Sequence, residues 1–331
     1  MSFEIEVLLV SFAISIILGI ITIPILRKLK VGQIERDDGP ASHLKKQGTP
    51  TMGGIVIIIT MIIGTVATSI YLVATGEGEL AAKLIPILLL TIGFGAIGFI
   101  DDYKKLVLKN TEGLKPSYKM LGLLVISVAY VLYLIEGLKL GTDTYIPILK
   151  QYITLPLYIY VPAAICVILA TTNAINLTDG IDGLSSSVST IIITCLTVIG
   201  MLRGVTEVSV FGSIVIGSVL GFLMFNLHPA KVFMGDTGSL FLGGMVCALA
   251  FGLDMPILLL PMGIVYICEI CSVVLQVLYF KATKGKRLFK MSPIHHHFEM
   301  CGWSEVKICT IFGIVSAIGG IISVVLVIFG I

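Results

Sequence analysis

Polar positions divide the chain into ten apolar runs of about 17 to 25 residues, and the breaks between the runs carry most of its charge. At 1.5 Å rise per residue such runs cross a hydrocarbon layer of about 30 Å, so the pattern predicts ten transmembrane helices. They cover approximately Phe3–Leu26, Ile55–Thr75, Leu84–Ile100, Met120–Ile135, Leu155–Ala174, Leu184–Leu202, Val208–Leu227, Gly238–Leu253, Pro256–Phe280 and Val306–Ile331. The first run opens with Glu4 and Glu6, has no Lys or Arg before it, and is followed by Arg27, Lys28 and Lys30. That charge order is the reverse of a signal peptide's, and the run is expected to stay as a first helix with its amino end outside. Ten spans return the carboxyl end to the same, extracytoplasmic side.

Composition agrees with the pattern: 56% hydrophobic and 13% charged residues exclude an ordinary soluble domain. No nucleic-acid partner is expected. The net charge of +2 hides a strong asymmetry. Loops after odd-numbered helices hold sixteen Lys and Arg, including Lys45, Lys46, Lys104, Lys105, Lys231 and Lys281, whereas the opposite loops hold only Lys83, Lys139, Lys150 and Arg203. The richer side is expected to be cytoplasmic, with loops at about 27–54, 101–118, 175–183, 228–237 and 281–305. A basic inner face suits anionic headgroups or an anionic soluble substrate, although insertion alone accounts for the bias. The chain reads as one catalytic domain without internal repeat. Its seven cysteines show one metal-like spacing, Cys268 and Cys271, which reads as helix packing.

Clusters of acids, amides and histidines fall in those same loops or at the helix ends beside them. Asp101 and Asp102 close the third run although acids are unfavourable at a helix carboxyl end, and adjacent carboxylates repel unless a cation or proton is shared. Thr-Asn-Ala-Ile-Asn-Leu-Thr-Asp-Gly-Ile-Asp-Gly-Leu carries Asn173, Asn176, Asp179 and Asp182 at i, i+3 spacing, with Gly180 permitting close backbone approach. These hard oxygen donors suit Mg²⁺ and a phosphate better than zinc; helix capping accounts for one or two of them. Asn226, His228, Lys231, Asp236 and Ser239 crowd the turn into the eighth helix, where Asp236 reads either as a helix cap or as a ligand or nucleophile. His295, His296 and His297 stand in the last basic loop, as donors to a diphosphate or as a surface patch. Glu269 and Gln276 share one face of the ninth helix, and an ionisable group within a span is either functional or satisfied by a neighbouring helix.

The strings Asp-Gly-Pro-Ala-Ser-His-Leu-Lys-Lys-Gln-Gly-Thr-Pro-Thr-Met-Gly-Gly (38–54), Asp-Asp-Tyr-Lys-Lys (101–105), Asn-Leu-Thr-Asp-Gly-Ile-Asp-Gly-Leu (176–184), Val-Phe-Met-Gly-Asp-Thr-Gly-Ser-Leu (232–240) and Pro-Ile-His-His-His-Phe-Glu (293–299) resemble the phospho-N-acetylmuramoyl-pentapeptide transferase family. That family lies within the polyprenyl-phosphate N-acetylhexosamine-1-phosphate transferase superfamily. The resemblance spans essentially the whole chain, departing mainly in the tenth helix, where Lys-Ile-Cys-Thr-Ile-Phe-Gly lacks an arginine and a tryptophan often seen there.

The resemblance implies transfer of phospho-MurNAc-pentapeptide from UDP-MurNAc-pentapeptide to undecaprenyl phosphate, giving lipid I and UMP. It also implies a homodimer in the bacterial inner (plasma) membrane with the active site facing the cytoplasm. Phosphoryl transfer needs positioning and charge neutralisation, so Mg²⁺ is assigned to Asp236 with Asp101 or Asp102 nearby. Asp101 is the candidate base for a direct attack; a two-step route would instead use Asp236 as nucleophile. Asn176, Asp179, Asp182 and Phe233 are implied to line the nucleotide pocket with Gln276. Lys46, Lys119, Asn226 and His295 to His297 are implied to hold phosphates and sugar, and Thr51, Lys105, Asn173, Gly180 and Ser239 complete the expected binding set. The alternatives are a sibling transferase using UDP-N-acetylglucosamine, which differs only in donor, and an ion-coupled transporter. A transporter would place its binding groups near the bilayer midplane in repeated halves.

Overall fold

The computed structural model describes residues 2–29, 46, 48–108 and 113–330. Arg36, Lys45 and Lys109, and most of the string 38–54, lie outside the described residues. Among those described, ten helices are long and apolar enough to cross a membrane. They are α1 (Phe3–Lys28), α2 (Gly54–Ala74), α3 (Gly78–Leu106), α4 (Pro116–Leu132, continued by a π-helical turn, Tyr133–Gly137), α5 (Leu157–Thr178), α6 (Leu184–Arg203), α7 (Thr206–Asn226), α8 (Gly235–Gly252), α10 (Ile264–Ala282) and α12 (Glu305–Gly330), with short α9 (Leu259–Met262) and α11 (Ile294–Met300) between them. The chain is an all-α, multi-pass membrane protein.

The bundle is built around α7 and α8. In their most apolar stretches 83% of residues are buried, against 22% in α1 and α10, which present broad faces of Ile, Leu and Val outward. Lipid gives apolar side chains no reason to leave it, so the central contacts depend on small residues and backbone proximity. Gly54 on α2 and Gly238 on α8 meet backbone to backbone, and a side chain at Gly98 of α3 would collide with the Asp236 carbonyl at the start of α8. Ser15 on α1 donates to the Ser218 carbonyl of α7 at 2.7 Å. These crossings bring the end of α3 against the beginning of α8.

Several helices extend further than their hydrophobicity predicts. α3 continues to Leu106 and α5 to Thr178, so Asp101, Asp102 and Asn176 project from helical turns instead of loops. The ninth predicted helix is divided: a 3-10 turn (Pro256–Leu258) and α9 precede a break at Gly263, and only then does α10 begin. Pro261 lacks the N–H and crowds the preceding turn, which a purely apolar count ignores. Asp143–Ile146 and Gln151–Thr154 form an antiparallel hairpin, β1 and β2, that the apolar pattern did not announce. Two four-residue strands show no periodicity long enough to register. The hairpin joins α4 to α5 at the end of the bundle opposite Asp101. Its Tyr145 N–H donates to the Asp254 carbonyl at 2.8 Å, Tyr145 O–H reaches the Gly330 carbonyl, and the Arg203 guanidinium lies 4.7 Å from the Tyr145 ring centre while donating to the Tyr152 hydroxyl.

Candidate active site

The turn between α7 and α8 is held before any ligand is considered. Residues 50–54 lie beside it as a clasp: Phe233 N–H donates to Pro50 O at 2.8 Å, Gly53 N–H to Phe233 O at 2.8 Å, and Gly54 N–H to Met234 O at 2.9 Å. Asn226, 2% exposed, accepts from the Ser186 hydroxyl of α6 and donates to Val232 O, so it fastens the turn from behind. Thr51 is buried, its hydroxyl beside Gly235, which adopts φ of +74°. This conformation favours glycine and turns the chain into α8.

Two adjacent acids on α3 then take different jobs. Asp102 accepts from the backbone N–H of Thr237 at 2.9 Å, its hydroxyl at 2.6 Å and the N–H of Asp236 at 3.3 Å, capping α8 from another helix. Asp101 accepts from Leu114 N–H at 2.7 Å and from two ammonium groups, Lys105 at 2.9 Å and Lys119 at 3.3 Å. The same ammoniums reach Asp236, at 3.0 and 2.9 Å, and Asn176 donates to the other oxygen of Asp236 at 2.7 Å and to Ser239 at 2.8 Å. Asp101, Asp236, Lys105, Lys119 and Asn176 therefore form one network contributed by α3, α4, α5 and α8.

Beside it, Asp182 and Glu305 enclose Lys46 at 2.7 and 2.5 Å. Asp182 also accepts from Ala230 N–H and pairs with His228 at 2.9 Å, and Glu305 accepts from the N–H of Asp182. Burial alone would lower the pKa of Lys46, but its hydrogen bonds to the two acids and their charges outweigh it and raise the pKa. Asp182, His228 and Glu305 offer three ligand atoms within 4.8 Å of one another, and the positive charge among them is the Lys46 ammonium. Phe233 lies 5.8 Å from that ammonium. Burial, then the negative charges of Asp236 and Asp102, push Asp179 well above the usual carboxylate range, against a hydrogen bond from Gly235.

The three histidines diverge in role. His295 is fully buried and holds both oxygens of Glu269 with Nδ1, at 3.1 and 3.0 Å, while its Nε2 meets no partner and faces Gly180. His296 pairs with Glu299 at 2.6 Å. His297 accepts from the Lys290 N–H at 3.1 Å. Gln276 accepts from Leu288 and Phe289 N–H and donates to Phe289 O, closing the basic loop over a cavity of about 360 Å³ lined by Phe280, Lys281, Arg287 and Ser292. Asn173 stays apart from the network, donating to Leu169 O within its own helix. Sequence reasoning overlooked Glu305: an acid in a first helical turn reads as a dipole partner, and only the fold brings it to Lys46.

The family model for Glycosyl transferase family 4 matches residues 84–254, and the phospho-N-acetylmuramoyl-pentapeptide-transferase signature 1 matches residues 46–58. The chain is 47% identical to the phospho-N-acetylmuramoyl-pentapeptide-transferase of Clostridium botulinum (strain Eklund 17B / Type B) over 94% of its own length and 92% of the relative's. The chain belongs to the phospho-N-acetylmuramoyl-pentapeptide-transferase family. Other members of the family are similar over comparable spans: the Acetivibrio thermocellus protein at 46% over 92% of the chain and 90% of the relative, and that of Halalkalibacterium halodurans at 43% over 96% of each. The family signature falls on the clasp that holds the α7–α8 turn, together with Lys46 and the first residues of α2.

Proposed function

We propose that this chain transfers phospho-MurNAc-pentapeptide from its UDP carrier to undecaprenyl phosphate, releasing UMP and forming lipid I. It works at the cytoplasmic face of the bacterial inner membrane, as a homodimer with the termini of each protomer outside. The observation that carries this reading is the Asp236 carboxylate, shared by two lysines and an asparagine from three helices at a membrane-surface end of the bundle. Such an arrangement concentrates charge where a soluble nucleotide meets a lipid phosphate.

The donor set fits a hard divalent cation. Asp101 and Asp236 turn carboxylate oxygens toward the same point, Asn176 adds an amide oxygen 3.4 Å from Lys119, and the bridging ammoniums stand where positive charge is required. Asp101 and Asp236 would hold Mg²⁺, while Asp102 remains the cap of α8. When bound, Mg²⁺ supplies charge neutralisation at the diphosphate.

Lys105 and Lys119 steady the donor's phosphates and offset the charge that builds on the leaving UMP. An oxygen of the acceptor phosphate attacks the phosphorus attached to MurNAc; the bond to UMP breaks, and UMP leaves with the electron pair. Asp101 takes the acceptor's remaining proton. Asp236 holds Lys105, Lys119 and Asn176 together, a charge-organising role that a single displacement leaves intact. Lys46, Asp182 and Phe233 form the adjoining nucleoside wall, with Phe233 stacking on the base.

The test is UMP release by detergent-purified protein given undecaprenyl phosphate and either UDP-MurNAc-pentapeptide or UDP-N-acetylglucosamine, with and without Mg²⁺. Release from the muramoyl donor alone, lost on chelation, is the expected result. Release from the second donor alone reassigns the substrate, and none from either in folded protein removes the reading.

A further inference from the structure

Glu269 is a fully buried acid whose place in α10 is thirteen residues, about 20 Å, before the helix ends at Ala282. An intramembrane carboxylate would ordinarily find a partner on another span. Its partner instead comes from α11, which brings His295 inward until Nδ1 lies 3.0 and 3.1 Å from the two carboxylate oxygens. The opposite nitrogen, Nε2, is buried with no hydrogen-bond partner and faces Gly180 so closely that any side chain there would overlap it. Nε2 of the adjacent His296 approaches the same point, 3.2 Å from where a Cβ on Gly180 would lie, and the two imidazole rings are 4.1 Å apart. Leaving a buried ring nitrogen unpaired costs about 1–3 kcal/mol, so the free side is expected to meet a polar group in another state of the protein.

We propose that Glu269 is a positioning residue for the transfer reaction: it fixes the direction of His295 so that Nε2 is held for an anionic oxygen of the nucleotide donor at the Asp179–Gly180 turn. This rests on the function proposed above. An anionic oxygen needs a donor at Nε2, so the ring carries a proton on each nitrogen when occupied, and the Glu269 carboxylate balances the added charge inside the bundle. The residues around the pair fit this use: Gly180 leaves room for the ring, and Lys119 and Lys105 bring positive charge to the neighbouring carboxylates.

Glu269→Gln keeps the size and a hydrogen-bond acceptor but removes the charge. It is expected to lower kcat by about 10- to 100-fold, the scale typical of groups that orient a ligand from behind, with the donor KM within about threefold. Glu269→Asp, which restores the charge, returns kcat to within about fivefold of wild type. Adding His295→Gln to Glu269→Gln gives no more than the loss from His295→Gln alone. The chain has five histidines, so ¹⁵N-histidine labelling of the unliganded protein follows the Nδ1–H of His295 independently of turnover, and Glu269→Gln is expected to move that resonance. Wild-type kcat in Glu269→Gln, losses that multiply in the double variant, or an unchanged imidazole spectrum would each overturn the assignment. Absence of turnover in the wild-type protein instead removes the proposed reaction, and the labelled spectrum still decides whether Glu269 sets the ring.

Discussion

Both ends of the helix bundle gather acids from distant parts of the chain, but they treat the charge differently. At the hairpin end, Asp254 lies near Asp143 and Arg203, and burial followed by the Asp143 charge, opposed by Arg203, pushes it up to about 6. The contacts that hold this end are mainly backbone and aromatic: Tyr145 to Asp254 O, Tyr145 to Gly330 O, and Arg203 against Tyr145 and Tyr152. At the other end, Asp101, Asp102 and Asp236 are each engaged by donors from another helix. One end is closed mainly by backbone and aromatic contacts, with the exposed Lys83–Glu207 pair across it. The other is organised around its acids, which is the expected cost of keeping a site ready for a charged ligand.

Single substitutions should break this contrast at one end and sharpen it at the other. Asp236→Asn keeps the shape of α8 but loses the anion shared by Lys105 and Lys119, and turnover should fall by at least about 10³-fold with melting little changed. Gly98→Ala puts a methyl group against the Asp236 carbonyl; separation of α3 from α8 should lower activity by about 100-fold and stability by about 2 kcal/mol, read by turnover and thermal unfolding. Lys119→Met leaves Lys105 as the remaining bridge, and kcat/KM should fall by about tenfold or more. The smallest effect belongs to Asp254→Asn. A folded-state carboxyl that titrates near 6 retains its proton while the unfolded one loses it, so its contribution to stability declines as pH rises from about 4 through 6. The amide that replaces it has no such slope and, at the φ of +56° found at this position, suits the backbone as well as the acid does. The variant should be more stable by on the order of 1 kcal/mol at pH 7.5 after solvent screening, little different at pH 4.5, and unchanged in turnover.

What the sequence made legible follows the same division. Ten spans could be read because a helix in lipid must satisfy its own backbone and cover it with apolar side chains, which leaves a long and simple pattern. The association of Asp101, Asn176 and Asp236 was anticipated from residue type and from the shared side of their helices. Their distinct jobs were not. Nothing in Asp101-Asp102 tells which acid will cap α8, because the answer depends on Thr237, more than a hundred residues later. The bonds by which Asn226 fastens its turn were also hidden, since its partners Ser186 and Val232 O are adjacent to it only in three dimensions. Glu269 and His295 stood out separately, and the inward course of α11 joins them. The hairpin and the break at Gly263 were hidden for opposite reasons, one too short to show a period and the other inside an uninterrupted apolar stretch.

The cap that Asp102 places on α8 also sets an order of assembly. When α3 leaves the ribosome, the residues it must cap do not yet exist, and four more membrane-crossing helices are made before Gly235 emerges. Until then the acid pair waits near the membrane surface without its lysine-bridged counterpart. Asp236 arrives only with the eighth span, so a nascent chain that stalls before it holds Asp101, Lys105, Lys119 and Asn176 without the carboxylate that joins them.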